Sequence, residues 1–230
     1  MKIYDNIIGK TNADFVYKVL KRNILELKLL PGSEIKEQEL SLIFNMSRTP
    51  IREALLLLKH EGLIKTLPQS GTFVTKIDKS KFEAGQILRV CVEVKMIQLA
   101  CEYFPQEYLD KLKENIEKQR LILSTTKNAE EYHKLDIDFH KLIFKGIGFQ
   151  ELFKITSREL FDYLRVRNLN SPVKIKDDYT LKGHEQIYEI IKYKKPELAQ
   201  EILEKHFCRL KNRLPILIEE YPNYFIYFLS

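Results

Sequence analysis

Apolar and polar residues alternate along the first 61 positions at the spacing of α-helices. Over residues 14–29 the apolar side chains fall three or four apart until Pro-Gly interrupts them, which predicts a first helix. A short second helix is predicted over residues 36–44, with Leu40 and Ile43 facing the core. A third is predicted over residues 47–61. The order of helix, short helix, tight link and helix is that of a helix-turn-helix.

The third predicted helix has an apolar face and a cationic face. Its predicted buried stripe, at positions i, i+3, i+4 and i+7, consists of Ile51, Ala54, Leu55 and Leu58. Arg48 and Arg52 are four residues apart, so about 40° of helical rotation separates them on another face. Either Ser47 or Thr49 can cap the helix, because Pro50 falls in the first turn in both cases.

Two β-prone runs follow the third helix directly. They cover residues 63–67 and 72–75 and flank the turn sequence Pro-Gln-Ser-Gly, which predicts a hairpin. Gly62 is placed to end the helix in the left-handed conformation. A hairpin at this place is a wing, so residues 1–77 are predicted to form a winged helix-turn-helix domain that binds DNA.

Residues 78–230 show no further β pattern and are predicted to be all α-helical. Short breaks with Pro, Gly, Asn or Ser separate most of the helices, and short connections are typical of an antiparallel bundle. The fold class is therefore mainly α. The six predicted helices cover approximately residues 79–103, 105–124, 129–145, 149–168, 181–193 and 196–220. The tail that ends in NYFIYFLS either packs on the bundle or contributes to a subunit interface.

The charge distribution and the cysteine content indicate in which cellular compartment the protein is expected. Residues 1–77 carry 12 Lys and Arg against 8 Asp and Glu, and residues 78–230 carry 26 against 24, so the shorter part is the more basic. Three widely spaced cysteines in apolar surroundings are typical of reduced core residues. No apolar run approaches the roughly 20 residues of a spanning helix, and no secretion signal is recognisable. We expect a soluble, cytoplasmic protein without a membrane partner.

Three of the five histidines combine with one aspartate in a pattern suited to a metal ion. Asp136 and His140 are four residues apart on one helix face, where both can point to one ion. His184 and His206 lie at matching levels of two consecutive antiparallel helices, because the chain rises about nine residues, turns and descends about ten. Each histidine taken alone is more often an ordinary core or surface residue. His133, seven residues before His140, could equally pass as a ligand.

The stretch PGSEIKEQELSLIFNMSRTPIREALLLLKHEGLIKTLPQSGTFV closely resembles the winged-helix domain of GntR-type bacterial transcription regulators. The shared pattern covers about 45 contiguous residues, from the Pro-Gly through SRTPxREAL to the G-x-x-V of the wing. The resemblance implies DNA contacts by a set of residues on the third helix and wing, namely Ser47, Arg48, Thr49, Arg52 and Gly71. Where one branch of the family has an arginine in the second helix this chain has Gln38, which can contact phosphate or adenine.

The second resemblance covers the helical region. LDIDFH followed by GHEQIYEIIKYKKPELAQEILEKH is similar to the FCD ligand-binding domain of FadR-type GntR proteins. The metal ligands implied by this resemblance are Asp136, His140, His184 and His206. Arg89 in RVCVE matches an arginine of the domain's first helix and is a candidate effector contact. Gly183 departs from the pattern, because acidic or polar residues are common there.

Together these features predict a ligand-responsive transcription regulator, a repressor, that binds a double-stranded DNA operator as a homodimer. A divalent Zn, Ni or Mn ion would assist binding of a small carboxylate effector. No catalytic residues are expected, because no activated nucleophile or dedicated general base stands out. Two alternatives stay open at this point: a metal-dependent enzyme with a DNA-binding domain, and a regulator whose Asp/His cluster is structural.

Overall fold

A computed structural model describes residues 1–4, 7–126, 128–170 and 178–226. These residues cluster into two compact units. The first unit contains the described residues among 1–82, 161–169 and 215–230, and the second contains those among 83–160 and 170–214. The first unit therefore takes in two later stretches of chain besides the predicted winged-helix region.

Three helices and a small sheet form the amino-terminal part of the first unit. In chain order they are α1 (Asn12–Leu25), β1 (Glu34–Ile35), α2 (Glu37–Phe44), α3 (Arg48–His60), β2 (Ile64–Leu67) and β3 (Gly71–Val74). The strand order is β1-β3-β2, and both pairs are antiparallel. The predicted wing is the β2–β3 hairpin. β1 was not predicted, since two residues are too few to show an alternating pattern.

The buried stripe of α3 is confirmed. Ile51, Ala54 and Leu58 are fully buried, and Leu55 is nearly so. They pack in one core with apolar residues of α1, β2 and β3. Ser47 is the N-cap of α3, and Gly62 follows the helix with a φ of +71°. The helix therefore begins and ends at the predicted positions, although the Ser47 side chain makes no capping hydrogen bond.

The prediction that Ile43 faces the core is wrong. Ile43 is 52% exposed, whereas Leu40 is 5% exposed. Phe44 packs against the core instead. The reason is geometric, since a step of four residues turns a helix by about 40° and a step of three turns it by about 60° in the other direction. In the short helix α2 the apolar stripe therefore runs from Leu40 to Phe44, four residues later, and leaves out Ile43.

Seven helices follow the wing within the described residues. They are α4 (Lys79–Glu102), α5 (Gln106–Ser124), α6 (Ala129–Gly146), α7 (Gln150–Arg158), α8 (Phe161–Asn170), α9 (Tyr179–Lys192) and α10 (Ala199–Glu220). A second apolar core, centred on residues of α4, α5, α6, α9 and α10, fills the second unit. In the part of the chain that the structure describes, no helix is both long and apolar enough to cross a membrane.

The helix predicted over residues 149–168 is in fact two helices, α7 and α8. Near the end of α7 two hydroxyls turn back onto the helix: Thr156 Oγ1 donates to Leu152 O at 3.0 Å and Ser157 Oγ to Phe153 O at 2.6 Å. Such bonds compete with the helical ladder and favour a bend or an end. The chain then leaves the helix at Leu160, which is buried. α8 is therefore a separate helix, and its residues 161–169 belong to the first unit.

The described part of the carboxyl-terminal tail also belongs to the first unit. Ile77, just beyond the wing, forms a parallel bridge with Phe225, which is 2% exposed. The described part of the tail thus pairs with the chain just beyond the wing, and a role of the tail in a subunit interface stays a prediction. Residues 227–230, the end of the tail, lie outside the described residues.

Candidate functional site

The amino-terminal end of α3 presents cationic and hydroxyl side chains. Ser47, Arg48, Thr49 and Arg52 are all exposed, and no acidic residue lies in the first turn of the helix. The unpaired backbone N–H groups and the positive end of the helix dipole lie at the same place. This surface is therefore suited to phosphate groups and to base edges that accept hydrogen bonds.

Arg52 is held by an acidic residue of the preceding helix. Its Nε donates to Glu37 Oε2 at 2.8 Å, although the arginine side chain is 63% exposed. A two-pronged contact with guanine can use the terminal amino groups of an arginine and does not need Nε. Glu37 can thus orient Arg52 for such a contact. The sequence pattern gave no signal for this pair, because the two residues are on different helices.

The two remaining predicted DNA contacts lie outside α3. Gln38 is on α2, beside the cationic end of α3, and Gly71 is on the wing. Gln38 is exposed and lines one groove together with Arg48. Gly71 opens β3 with a φ of +119°, and a Cβ there would lie 3.2 Å from Glu34 Oε1. Only glycine takes that backbone conformation without strain. The wing turn therefore requires glycine at the position where a backbone could approach DNA.

The four residues expected to hold a metal do come together. Asp136 and His140 of α6, His184 of α9 and His206 of α10 each offer a ligand atom, and these atoms all lie within 4.8 Å of one another. His184 Nε2 is 3.3 Å from His140 Nε2 and 3.4 Å from Asp136 Oδ1. His133 is not part of this group among the described residues.

Gln119 and Glu93 contact the Nδ1 atoms of two histidines of the cluster and so orient their rings. His184 Nδ1 lies 2.8 Å from Gln119 Oε1, and Gln119 Nε2 donates to Asn115 Oδ1 at 2.6 Å. On the other side, His140 Nδ1 lies 2.5 Å from Glu93 Oε2. An amide oxygen at Nδ1 requires a proton on that nitrogen, which leaves the Nε2 lone pair of His184 for a metal.

Sequence reasoning missed Gln119. A signal was present, because Asn115 and Gln119 are polar residues four apart inside the buried apolar face of α5, with Leu112, Ile116 and Ile122 as their neighbours on that face. Buried amides of this kind need hydrogen-bond partners, and here the partner is a candidate metal ligand.

Burial sets the protonation state of two of the histidines. It lowers the pKa of His184, although Asp136 counteracts the shift, and it lowers the pKa of His206 well below the ordinary value. Both imidazoles are therefore neutral at pH 7. Neutral imidazole is the form that binds metal ions.

His206 has a ring nitrogen that is free to bind a ligand. The residue is 9% exposed, yet its buried Nδ1 has no hydrogen-bond partner. Gly183 makes room for the ring, since a Cβ at that position would lie 2.2 Å from His206 Nδ1. The departure from the pattern before His184 is thus explained: a side chain at position 183 would collide with His206.

Arg89 is buried beside the cluster and is not a surface residue. It is 8% exposed, its Nε donates to Glu93 Oε1 at 2.8 Å, and its guanidinium lies 4.2 Å from the centre of the Phe207 ring. Burial would raise the pKa of Glu93, but attraction to Arg89 and the contact with His140 lower it to about 2. The Arg89–Glu93 pair is therefore fully charged and neutral as a whole.

Comparisons with known proteins identify the family to which the two regions of the chain correspond. Residues 12–74 match the family model described as "Bacterial regulatory proteins, gntR family", and residues 86–209 match the FCD domain model. The second match alone covers more than half of the chain. The chain is similar to the HTH-type transcriptional repressor RspR of Escherichia coli, at 24% identity over 91% of this chain and 92% of the relative.

Two further likenesses span most of the molecule. The gluconate operon transcriptional repressor of Bacillus licheniformis is 26% identical over 85% of this chain and 82% of its own length. Among solved structures, E. coli McbR/YncC has the same fold, with a TM-score of 0.74 and 20% identity over 92% of this chain and 99% of that one. The chain belongs to the GntR family of bacterial transcriptional regulators, in the branch that joins the winged helix to an FCD domain.

Proposed function

We propose that this regulator is a metal-assisted repressor whose DNA binding is controlled by a small carboxylate. The observation that carries the proposal is the buried cluster of Asp136, His140, His184 and His206, with ligand atoms within 4.8 Å of one another. A DNA-binding unit alone would not need such a group, which is costly to bury without a ligand.

The DNA half of the proposal places the amino-terminal end of α3 in the major groove. Arg48 and Arg52 contact guanine edges there, while Ser47 and Thr49 contact phosphate or a base edge. Gln38 contacts phosphate or adenine, and the backbone at Gly71 approaches the minor groove. A homodimer places two such helices on a two-fold symmetric operator, which is the usual arrangement for helix-turn-helix proteins.

The effector half places a divalent ion on the four-residue cluster. Three imidazole nitrogens and one carboxylate oxygen suit Zn, Ni or Mn and leave two positions for other ligands on a six-coordinate ion. When bound, the ion supplies a Lewis-acidic, positively charged point to which a carboxylate can bind directly.

Charge balance supports an anionic effector. Imidazoles bind a metal ion in their neutral form, so a divalent ion with these ligands beside the Asp136 carboxylate carries a net charge of about +1, and the Arg89–Glu93 pair adds none. A buried net charge is unfavourable unless a counter-charge accompanies it. A monocarboxylate provides that counter-charge, and Arg89 is the candidate side chain for its second contact.

Gel-shift titrations test the DNA half. The probe is a duplex selected from a random-sequence library by the wild-type chain, and the variants are Arg48→Ala and Arg52→Ala. We expect each to weaken binding by about tenfold or more, since a two-pronged contact to a base is worth about 1–3 kcal/mol. Arg158→Ala removes the same charge from an exposed position at the end of α7 and serves as the control. Undiminished binding by both α3 variants would refute this assignment.

Metal analysis tests the effector half. The wild type should hold close to one divalent ion per chain and His206→Ala much less. Equal metal content in the wild type and in His206→Ala would refute the proposed metal site. Titration of the loaded protein with small carboxylates, and with amides of the same shape, should show binding of the acids only.

We also propose that the site is not catalytic. Glu93 is the carboxylate that contacts the cluster from outside, and a carboxyl group with a pKa of about 2 is a weak general base. Hydrolysis of a carboxylate ester or amide by the metal-loaded protein, abolished by His184→Ala, would support an enzyme instead.

A further inference from the structure

Helix α8 is joined to the base of the wing by a buried arginine. Arg165 is 2% exposed, and its guanidinium faces the backbone just after β3. Nη1 donates to Thr75 O at 2.6 Å, and Nη2 donates to Lys76 O at 3.3 Å. One side chain from a distant part of the sequence thus satisfies two consecutive carbonyl groups of the segment that leaves the wing.

Asp162 completes this contact from the same helix. Its Oδ1 accepts a hydrogen bond from Arg165 Nε at 3.1 Å, and its Oδ2 accepts one from the backbone N–H of Asp78 at 3.2 Å. Both charges are buried, with side-chain exposures of 3% for Arg165 and 6% for Asp162. Buried ion pairs of this kind persist only when hydrogen bonds satisfy their remaining groups, as the backbone does here.

The residue between these contacts is held by the carboxyl-terminal tail. The N–H of Ile77 donates to Tyr224 O at 2.8 Å, and the N–H of Ile226 donates to Ile77 O at 2.9 Å. Phe225 lies between them and is buried. Every residue from 75 to 78 is therefore fixed by α8 or by the tail.

We propose that Arg165 is a positioning residue for the wing, and that α8 and the tail segment are working parts of the DNA-binding unit. The wing hairpin has strands of only four residues each, and β1 adds just two residues to the sheet beside β3. So small a sheet depends on the contacts at its ends for a fixed direction. The direction in which Gly71 points at the wing tip is consequently set at the base, where β3 runs into residues 75–78. The inference rests on the proposed contact of the wing with the minor groove.

Footprinting with the full-length chain tests this role. The probe is the library-selected duplex, with hydroxyl radicals reporting the minor groove and guanine methylation reporting the major groove. Arg165→Lys keeps a cation beside Asp162 but cannot donate to both carbonyls in the forked geometry of a guanidinium. Arg165→Met removes the donors altogether, and Arg158→Met on the exposed end of α7 is the charge-matched control.

We expect both Arg165 variants to lose minor-groove protection on the wing side while guanine protection by α3 persists, with affinity reduced by about tenfold. The Arg158 variant should match the wild type. A purely structural role would weaken both kinds of protection in proportion to the folded fraction, measured by circular dichroism, and that result overturns the inference. Wild-type protection in Arg165→Lys overturns it as well.

The footprint of the wild type distinguishes a failure of the positioning role of Arg165 from a failure of the proposed contact between the wing and the minor groove. Protection in both grooves by the wild type, with no selective loss in the Arg165 variants, overturns the positioning role alone. No wing-side protection in the wild type overturns the proposed wing contact and the positioning role together.

Discussion

Replacing Gly183 by alanine should separate metal binding from folding. An added Cβ would lie 2.2 Å from His206 Nδ1, and also 3.1 Å from two ring carbons of the same histidine. An ordinary contact needs about 3.4 Å or more, so the ring has to move by roughly 1 Å. Space is short, because the ring packs 4.9 Å from both the His184 and the Phe207 ring centres.

Two opposing effects decide how much stability the Gly183→Ala variant loses. Alanine in a helix interior is favoured over glycine by about 0.5–1 kcal/mol, whereas forcing an extra methyl group into a packed site costs about 1–3 kcal/mol. The apo protein should therefore lose between about 0 and 2.5 kcal/mol of stability. Metal ligands must lie within about 0.2 Å of their proper distances, so a 1 Å shift removes His206 from the ion. We expect metal affinity to fall by about 100-fold or more, equivalent to about 2.7 kcal/mol.

The assay is competition for Zn²⁺ against a chromophoric chelator, combined with urea unfolding of the apo proteins. Gly146→Ala is the matched control, because the three atoms nearest to a Cβ there all belong to Phe104, with Cε2 at 2.3 Å, and none belongs to a residue of the cluster. It should lose stability and keep its metal affinity. Wild-type affinity in the Gly183 variant would show that His206 is not a ligand.

Three more substitutions test other parts of the structure. Glu37→Gln should lower the selectivity for the selected duplex by about threefold to tenfold, because a neutral amide orients Arg52 less strongly than a carboxylate does, and should strengthen binding to random duplexes, because a negative charge is removed. Competition gel shifts measure both quantities, and a parallel change in the two would contradict the reasoning. Gln119→Leu should reduce metal affinity about 10–100-fold by leaving His184 unsupported, as calorimetric titration can show; an unchanged affinity would count against it. Phe225→Ala should cost about 3–5 kcal/mol in urea unfolding, and a loss under 1 kcal/mol would mean that the tail contact is weak in solution.

The parts of this structure that the sequence predicted depend on local regularity. The stripe of α3 follows from helical periodicity, because Ile51, Ala54, Leu55 and Leu58 repeat at the helical period. His184 and His206 could be aligned because two helices joined by a short turn must return the chain to the same level. In both cases the information lies within some 25 consecutive residues.

The parts that the sequence did not predict depend on contacts between distant segments. Arg165 and Thr75 are 90 residues apart, and nothing in the pattern around either residue marks them as partners. The end of α7 was missed for another reason: the hydroxyls of Thr156 and Ser157 bond back to the helix, and helical periodicity does not detect such competition. The Glu37–Arg52 pair depends on how α2 packs against α3.

The composition of the first unit has a consequence for synthesis of the protein on the ribosome. Domains at the amino terminus ordinarily fold while the rest of the chain is still being made. Here the compact unit that contains the winged helix is complete only when residues 161–169 and then residues 215–226 have been added. A nascent chain, or one terminated early by a nonsense mutation, lacks the partners of Thr75, Lys76 and Ile77. If these contacts position the wing as proposed, truncated products should bind the operator more weakly than the full-length chain.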